Sequence, residues 1–278
     1  MAEKISRWQK FKKFLKRNMT PTWAKHFSYQ VISFLISVFL VAAVATYAVT
    51  KSYDERSLNF VEGFTITAHT GAFNTPENSL KSVQAAIDNN VEILEIDIRR
   101  RPNGTLVISH DIVVTNNDGT ELTEVFKLLQ RDDCRINLDI KETRTLNDLH
   151  DMLVEYNLLD RAFLTGIDQM NVAAVKESSC ADMDYYLNYQ PSRIQIFTND
   201  YKQKIISLLE ETGAIGINCN YKYAGGTLSN LLHENGYKLS VWTVNSRYEM
   251  KRMLVAEPDN ITTKEYDLLI SVIENWGK

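Results

Sequence analysis

A chain of 278 residues, 44% hydrophobic and 24% charged, has room for one barrel-sized domain with a large core plus a membrane segment. Its net charge of −4 argues against a general nucleic-acid binder, so no nucleic-acid partner is expected. That balance hides an asymmetry: Lys4, Arg7, Lys10, Lys12, Lys13, Lys16, Arg17 and Lys25 crowd the first residues, and the two ends need separate readings.

Residues 1–26 read as a basic tail, in which Ile5, Trp8, Phe11 and Leu15 recur at near-helical spacing. This pattern suits either a short helix lying on anionic headgroups or a solvated basic segment. The uncharged run 27–50 is long enough to cross a hydrocarbon core of ~30 Å as a helix. Positive charge before it, against mixed charge after it, predicts a single-pass protein of the cell membrane with a cytoplasmic N-terminus and an extracytoplasmic remainder. A cleaved signal peptide is the rival reading, because Ala43-Val44-Ala45 resembles a small-residue cleavage site. Residues 51–63 form a short polar linker, which would hold residues 64–278 close to the membrane.

Beyond the linker, strand-like runs are expected around 65–68, 92–98, 136–140, 162–165, 185–188, 214–218, 238–243 and 260–262. Helical patterns lie at 78–89, 146–157, 203–212, 228–235 and 247–256, with Thr75 as a cap and Pro76 in the first helical position of the earliest. An Asn103-Gly104 turn followed by a strand at 105–109 reads as a hairpin insertion. Alternating strands and helices of this number predict an α/β fold, a (β/α)8 TIM barrel preceded by one N-terminal transmembrane helix. His69, Glu95, Asp97, Asp139, Lys141 and Trp242 then fall at C-terminal strand ends, where the chemistry of such barrels sits. Cys134, Cys180 and Cys219 show no metal-ligand spacing and read as small core residues.

Glu95, Asp97 and Arg99 share one strand face. Carboxylates two residues apart lie roughly 6 to 7 Å from each other, and at an effective dielectric of ~20 they repel by about 2 to 3 kcal/mol. An enclosed face therefore needs a cation, either Arg99 in a structural ion network or a divalent metal taking hard oxygen ligands. Taken alone, His69 is an ordinary strand-end histidine and His110-Asp111 an ordinary turn.

Ala68-His69-Thr70-Gly71, Pro76-Glu77-Asn78-Ser79-Leu80, Glu95-Ile96-Asp97 and His110-Asp111, in this order and spacing, resemble the glycerophosphodiester phosphodiesterase family, whose pattern is His-Arg-Gly, Pro-Glu-Asn-Thr, Glu-x-Asp, His-Asp. Weaker similarity continues through Leu138-Asp139-Ile140-Lys141, Val241-Trp242-Thr243-Val244-Asn245 and Asn260-Ile261-Thr262-Thr263. The resemblance implies that His69 and His110 act as acid and base, that Glu95, Asp97 and Asp139 hold one divalent cation, and that Lys141 meets the phosphate. Trp242 would be barrel core or a wall against the glycerol end, and Glu77 a supporting group behind the site. The implied substrate is a small-molecule or lipid-derived phosphodiester, cleaved to glycerol 3-phosphate and an alcohol. Alternatives are a silent barrel that binds envelope or lipid phosphodiesters, and a lysophospholipase D type of activity.

Two positions depart from the family. Thr70 stands where the family has an arginine that would grip phosphate, with Arg99, Arg101 or Lys222 as candidate replacements. Asp139 replaces a glutamate, which a flexible calcium shell accommodates better than a magnesium octahedron, so Ca2+ is favoured over Mg2+. Oligomeric state is not readable.

Overall fold

The structure, a computed structural model, describes residues 7–18, 20–130 and 132–278, which divide after Ser52 into two units. The first unit holds α1 (Arg7–Asn18) and most of α2 (Pro21–Asp54). Lys4 and Ile5 of the expected amphipathic stretch lie outside the described residues, as do the side chains of Arg7, Leu15, Lys16 and Arg17. Trp8 and Phe11 stack at 5.8 Å between ring centroids, with Lys12 Nζ 5.4 Å from the Trp8 ring. Thr20 caps α2, its Oγ1 accepting the Trp23 N–H at 3.2 Å, and Pro21 takes the first helical position. No residue of α2 is buried, and by length and composition the helix can cross a membrane. It continues past Thr50 to Asp54 because no glycine or proline interrupts it there.

The second unit runs β1 (Thr65–Ala68), α3 (Leu80–Asp88), β2 (Ile93–Arg100), β3 (Leu106–Ile108), β4 (Thr120–Glu121), α4 (Leu122–Leu129), β5 (Arg135–Ile140), α5 (Leu146–Glu155) and β6 (Ala162–Ile167). It continues with α6 (Val172–Lys176), β7 (Tyr185–Asn188), α7 (Asn199–Thr212), β8 (Gly216–Asn220), α8 (Gly226–Glu234), β9 (Lys238–Trp242), α9 (Arg247–Ala256), β10 (Asn260–Thr263) and α10 (Tyr266–Glu274). Strands β1, β2 and β5 to β10 are parallel, and β1 pairs with both β10 and β2, which closes an eight-stranded barrel. β3 and β4 extend β2 as an antiparallel hairpin outside the ring.

Local chemistry shifts one boundary. Asn78 has φ 48°, which no helix admits, so α3 opens later than Pro76. Ser79 is its cap, accepting the Ser82 N–H at 3.1 Å, while the Thr75 hydroxyl donates to the Ala72 carbonyl. Three helices, α4, α6 and α10, lie outside the periodic stretches named above. α4 follows its strand without a separating turn, so its helical spacing of Leu122, Val125, Phe126 and Leu129 carries no start signal, and α6, with five residues, is too short for a clear period.

Outward strand residues such as Leu94, Ile96, Ile98, Ile136 and Leu138 pack with the helices in one continuous core. Inward positions divide by height. Ile93, Phe163 and Tyr186 form a small apolar cluster, and one step further along the same strand faces come Glu95, Thr165 and Asn188. The barrel is therefore plugged by apolar side chains below and lined by polar ones at the C-terminal end.

Candidate active site

The register of β2 against β5 pairs Glu95 with Asn137 and Asp97 with Asp139. Neighbouring strands thus deliver acidic side chains to one face, and one carboxylate oxygen from each of Glu95, Asp97 and Asp139 lies within 4.8 Å of the others. Gly166 on β6 makes room for this cluster. Its φ is +76°, and a Cβ there would stand 2.5 Å from the Ile140 carbonyl oxygen and 2.9 Å from Asp139 Oδ1.

The expected cation is not Arg99. That guanidinium sits 3.2 Å from Glu142 and donates to the His110 carbonyl at 3.0 and 2.9 Å. Lys141 takes the place instead, its Nζ 2.8 Å from Asp97 Oδ1 and hydrogen-bonded to Asp139. Lys141 lies two residues beyond Asp139 on the same inward side, so the strand period brings ammonium and carboxylate together.

Burial tends to raise the Asp97 carboxyl, but the Lys141 charge and hydrogen bonds from Lys141 and Asn78 outweigh it and hold Asp97 below its usual range. Burial tends to lower the Lys141 ammonium, and Asp139 and Asp97 more than reverse this. Glu95 has less relief, from the Thr70 N–H and the more distant Lys141 charge. Burial, then the charges of Asp97 and Asp139, push it well above the usual glutamate range. The cluster is short of positive charge at Glu95, and its all-oxygen donor set suits a hard divalent cation.

Asn78 fixes Asp97 from both sides, donating Nδ2 to Oδ2 at 2.6 Å and accepting the Asp97 N–H on Oδ1 at 3.1 Å. Its own N–H donates to the hydroxyl of Thr70 at 2.6 Å. Thr70 is fully buried, and its N–H donates to Glu95 Oε2 at 2.9 Å. The residue in the arginine's place thus ties the loop after β1 to the acids and presents no charge.

His69 follows β1 directly, its N–H donating to the Thr263 carbonyl at 2.9 Å. Its Nδ1 lies 2.9 Å from the Thr70 carbonyl oxygen. A carbonyl only accepts, so Nδ1 carries the proton and Nε2 keeps its lone pair. Burial lowers the ring's pKa, partly opposed by the Thr70 carbonyl and reinforced by the charge of Lys264. His110 is far more open, with its side chain 63% exposed and Nδ1 3.2 Å from Asp111 Oδ1.

A cavity of about 400 Å³ gathers His69, Glu77, Glu95, Asp97, His110, Asp139, Lys141 and Trp242, all eight residues to which the resemblance gave a place in the site. It also contains residues the sequence did not single out. Lys264, just past β10, pairs with Glu77. Asn137, Thr165, Asn188 and Asn218 make a neutral polar wall, with Asn218 Nδ2 donating to Asn188 Oδ1 at 2.9 Å. Trp242 Nε1 is buried with no hydrogen-bond partner. Among the candidates to replace the family arginine, Arg99 is occupied as above. Arg101 is buried on Glu121 at 2.7 Å and on the Asp118 and Gly119 carbonyls, while Lys222 is exposed, 5.9 Å from the Tyr221 ring. None of these three guanidinium and ammonium groups lines the cavity. Position at a strand's C-terminal end was the one signal that could have found Lys264.

No family profile matches the chain. Among curated proteins, the glycerophosphodiester phosphodiesterase of Caldanaerobacter subterraneus subsp. tengcongensis is 23% identical over 252 residues, covering 76% of this chain and 98% of that protein. A solved glycerophosphodiester phosphodiesterase from Parabacteroides distasonis superposes with a TM-score of 0.60 at 18% identity, covering 78% of this chain and 99% of that one. An Oleispira antarctica phosphodiesterase, solved with the product sn-glycerol-3-phosphate, gives 0.58 at 16% identity, covering 76% and 97%. At these identities the solved structures speak for the fold.

Proposed function

As a relative of the glycerophosphodiester phosphodiesterases, this chain, we propose, is a phosphoric diester hydrolase that splits glycerophosphodiesters into glycerol 3-phosphate and an alcohol. The observation that carries the reading is the meeting of both histidines and all three acids in one cavity at the C-terminal end of the barrel.

Cleavage of a phosphodiester needs the attacking oxygen deprotonated, the leaving alkoxide protonated and the phosphoryl charge neutralised. His69 suits the first task, since its proton is on Nδ1, and burial keeps Nε2 free at neutral pH. His110, open to the cavity and to water, suits the second. Arg99 would position it by holding its carbonyl. Glu95, Asp97 and Asp139 would hold one divalent cation, Ca2+ before Mg2+, which when bound supplies Lewis acidity at the phosphoryl oxygens. Lys141 pairs with both Asp97 and Asp139 and has one donor to spare for phosphate. Lys264 supplies the further positive charge that the family arginine would have brought, anchored by Glu77. Trp242 walls the cavity on the β9 side.

We also read α2 as a membrane span, with the basic residues around α1 on the cytoplasmic side and the barrel outside. The mass of the mature chain tests this: a protein beginning at Thr46 would replace the anchor with a cleaved signal. For the activity, the purified full chain should release glycerol 3-phosphate from glycerophosphocholine or glycerophosphoglycerol when Ca2+ or Mg2+ is present. Release undiminished by a chelator, or none with either ion, contradicts the reading.

A further inference from the structure

His110 stands past the end of its strand. β3 stops at Ile108, the Ser109 N–H still donates to the Asp97 carbonyl at 3.0 Å, and the chain beyond is irregular until β4. An acid that must meet one leaving oxygen needs placement to within about 0.5 Å. A side chain as exposed as that of His110 does not get this from packing.

The placement comes through its peptide. Arg99 Nε and Nη2 both donate to the His110 carbonyl, a two-point grip that fixes direction as well as distance. The remaining arm, Nη1, donates to Glu142 Oε1 at 3.2 Å, and the two side chains are only 14% and 18% exposed. Glu142 is itself pinned. Lys141 before it donates its N–H to the Ile98 carbonyl at 3.2 Å, and the Glu142 carbonyl accepts the Thr145 N–H and hydroxyl at 3.1 and 2.6 Å. Its Oε2 accepts from Arg144 Nε at 2.5 Å. A long arginine side chain has many rotamers to choose from, and this fixed carboxylate selects one.

The strut rises from the strands that carry the acids. Arg99 lies two residues beyond Asp97 on β2, and Glu142 three beyond Asp139, just past β5. Glu142, Arg99 and the His110 carbonyl thus tie the segment after β3 to the two strands whose carboxylates gather in the cavity. Neither Glu142 nor Arg99 lines that cavity.

We propose that Glu142 is a positioning residue for His110, acting through Arg99, and that it sets how well an unactivated alcohol is expelled. This rests on the reading of His110 as the acid. In that step the water oxygen bonds to phosphorus and gives a proton to His69 Nε2. The P–O bond to the alcohol breaks with its electron pair on the leaving oxygen, which takes a proton from His110 Nε2, the ring nitrogen that Asp111 leaves free. Exchange with solvent restores both rings. An alkoxide is a poor leaving group and needs that proton in place, whereas p-nitrophenolate departs without one. Misplacing the acid therefore harms the first and spares the second.

The test uses the full chain with Ca2+ and two diesters of glycerol 3-phosphate, glycerophosphocholine and the p-nitrophenyl ester. Glu142→Gln should lower kcat on glycerophosphocholine by about tenfold to a hundredfold with little change in KM, and kcat on the p-nitrophenyl ester far less. Arg99→Lys, which keeps the charge and loses the fork, should show the same split. His110→Ala should show a larger one, and adding Glu142→Gln to it should cost nothing more. The rise in Tm that Ca2+ gives should be the same in Glu142→Gln as in the wild type, because Glu95, Asp97 and Asp139 are untouched. Equal losses on both esters, losses that add in the double variant, or a weakened response to Ca2+ overturn the positioning role. Wild-type kinetics in Glu142→Gln beside a selective His110→Ala overturn the strut alone. If His110→Ala fails to separate the esters, the acid assignment falls and the proposal with it, while the hydrolase reading stands on release of glycerol 3-phosphate by the wild type. No turnover of either ester by the wild type overturns both.

Discussion

The two sides of the barrel mouth are built from different chemistry. On the β1, β2 and β5 side the cavity is charged: His69, Glu95, Asp97, Asp139 and Lys141 crowd together, with buried acids held by Asn78, Thr70 and Lys141. On the β6 to β8 side the inward positions are the neutral Thr165, Asn188 and Asn218, and the β6 and β7 loops carry exposed Met170, Ile194 and Phe197. On the proposed reading the first side moves protons and holds a cation, and the second meets the rest of the substrate. On that reading chemistry and substrate choice fall to different strands, so that one can vary while the other stays fixed.

Substitutions can break this division, and the largest effects belong on the charged side. His69→Ala and His110→Ala should each lower kcat by ~10² to 10⁴, the usual worth of a positioned acid or base. Steady-state kinetics on glycerophosphocholine measures this, and wild-type rates in either variant would remove that histidine from the chemistry.

Glu95→Gln separates stability from activity. A buried carboxyl whose pKa is raised binds its proton more tightly in the folded than in the unfolded chain. Stability therefore falls as pH rises above the unfolded glutamate value, ~4.3, and the deficit persists above the folded value. Without metal at neutral pH the variant should melt higher than wild type, and it should lose both activity and the rise in Tm that Ca2+ gives the wild type. Calorimetric scans with and without Ca2+ decide it; a lower Tm in the metal-free variant would mean that Glu95 is already compensated.

Lys264→Gln should be milder. It removes one cation from the cavity while Lys141 stays, so KM should rise by about tenfold with a smaller fall in kcat, and the effect should shrink at high salt. The smallest effect is expected across the mouth. Asn218→Ala should change KM by a few-fold, in proportion to a lost neutral hydrogen bond of about 1 kcal/mol, and should do so differently for diesters with different alcohols. Equal changes for all substrates would deny that side a part in choosing among them.

The charged side was far more legible in the sequence than the neutral one. Glu95 and Asp97 announce themselves by alternation on an apolar strand, and His69 and His110 by the motifs around them, because those signals are local. Asp139 needed its strand to be recognised, and its closeness to Asp97 came from the β2–β5 register. The Lys141–Asp139 pair was legible from their shared strand face but the second partner, Asp97, was not, and Arg99 looked equally able to serve the acids until its contacts with Glu142 and His110 were seen. The pairing of Lys264 with Glu77 joins the last barrel strand to the first loop. Only barrel closure brings those two together. The exposure of Met170 and Ile194 is hidden too, since each sits in a polar loop with no period to read.

The central claim is that Glu95, Asp97 and Asp139 hold a cation beside both imidazoles. Anomalous diffraction from crystals soaked in Mn2+ tests it most directly. One peak within bonding distance of all three carboxylates, in the cavity shared by His69 and His110, is the predicted result. A peak elsewhere, or none from protein that hydrolyses diesters in the same solution, would contradict it.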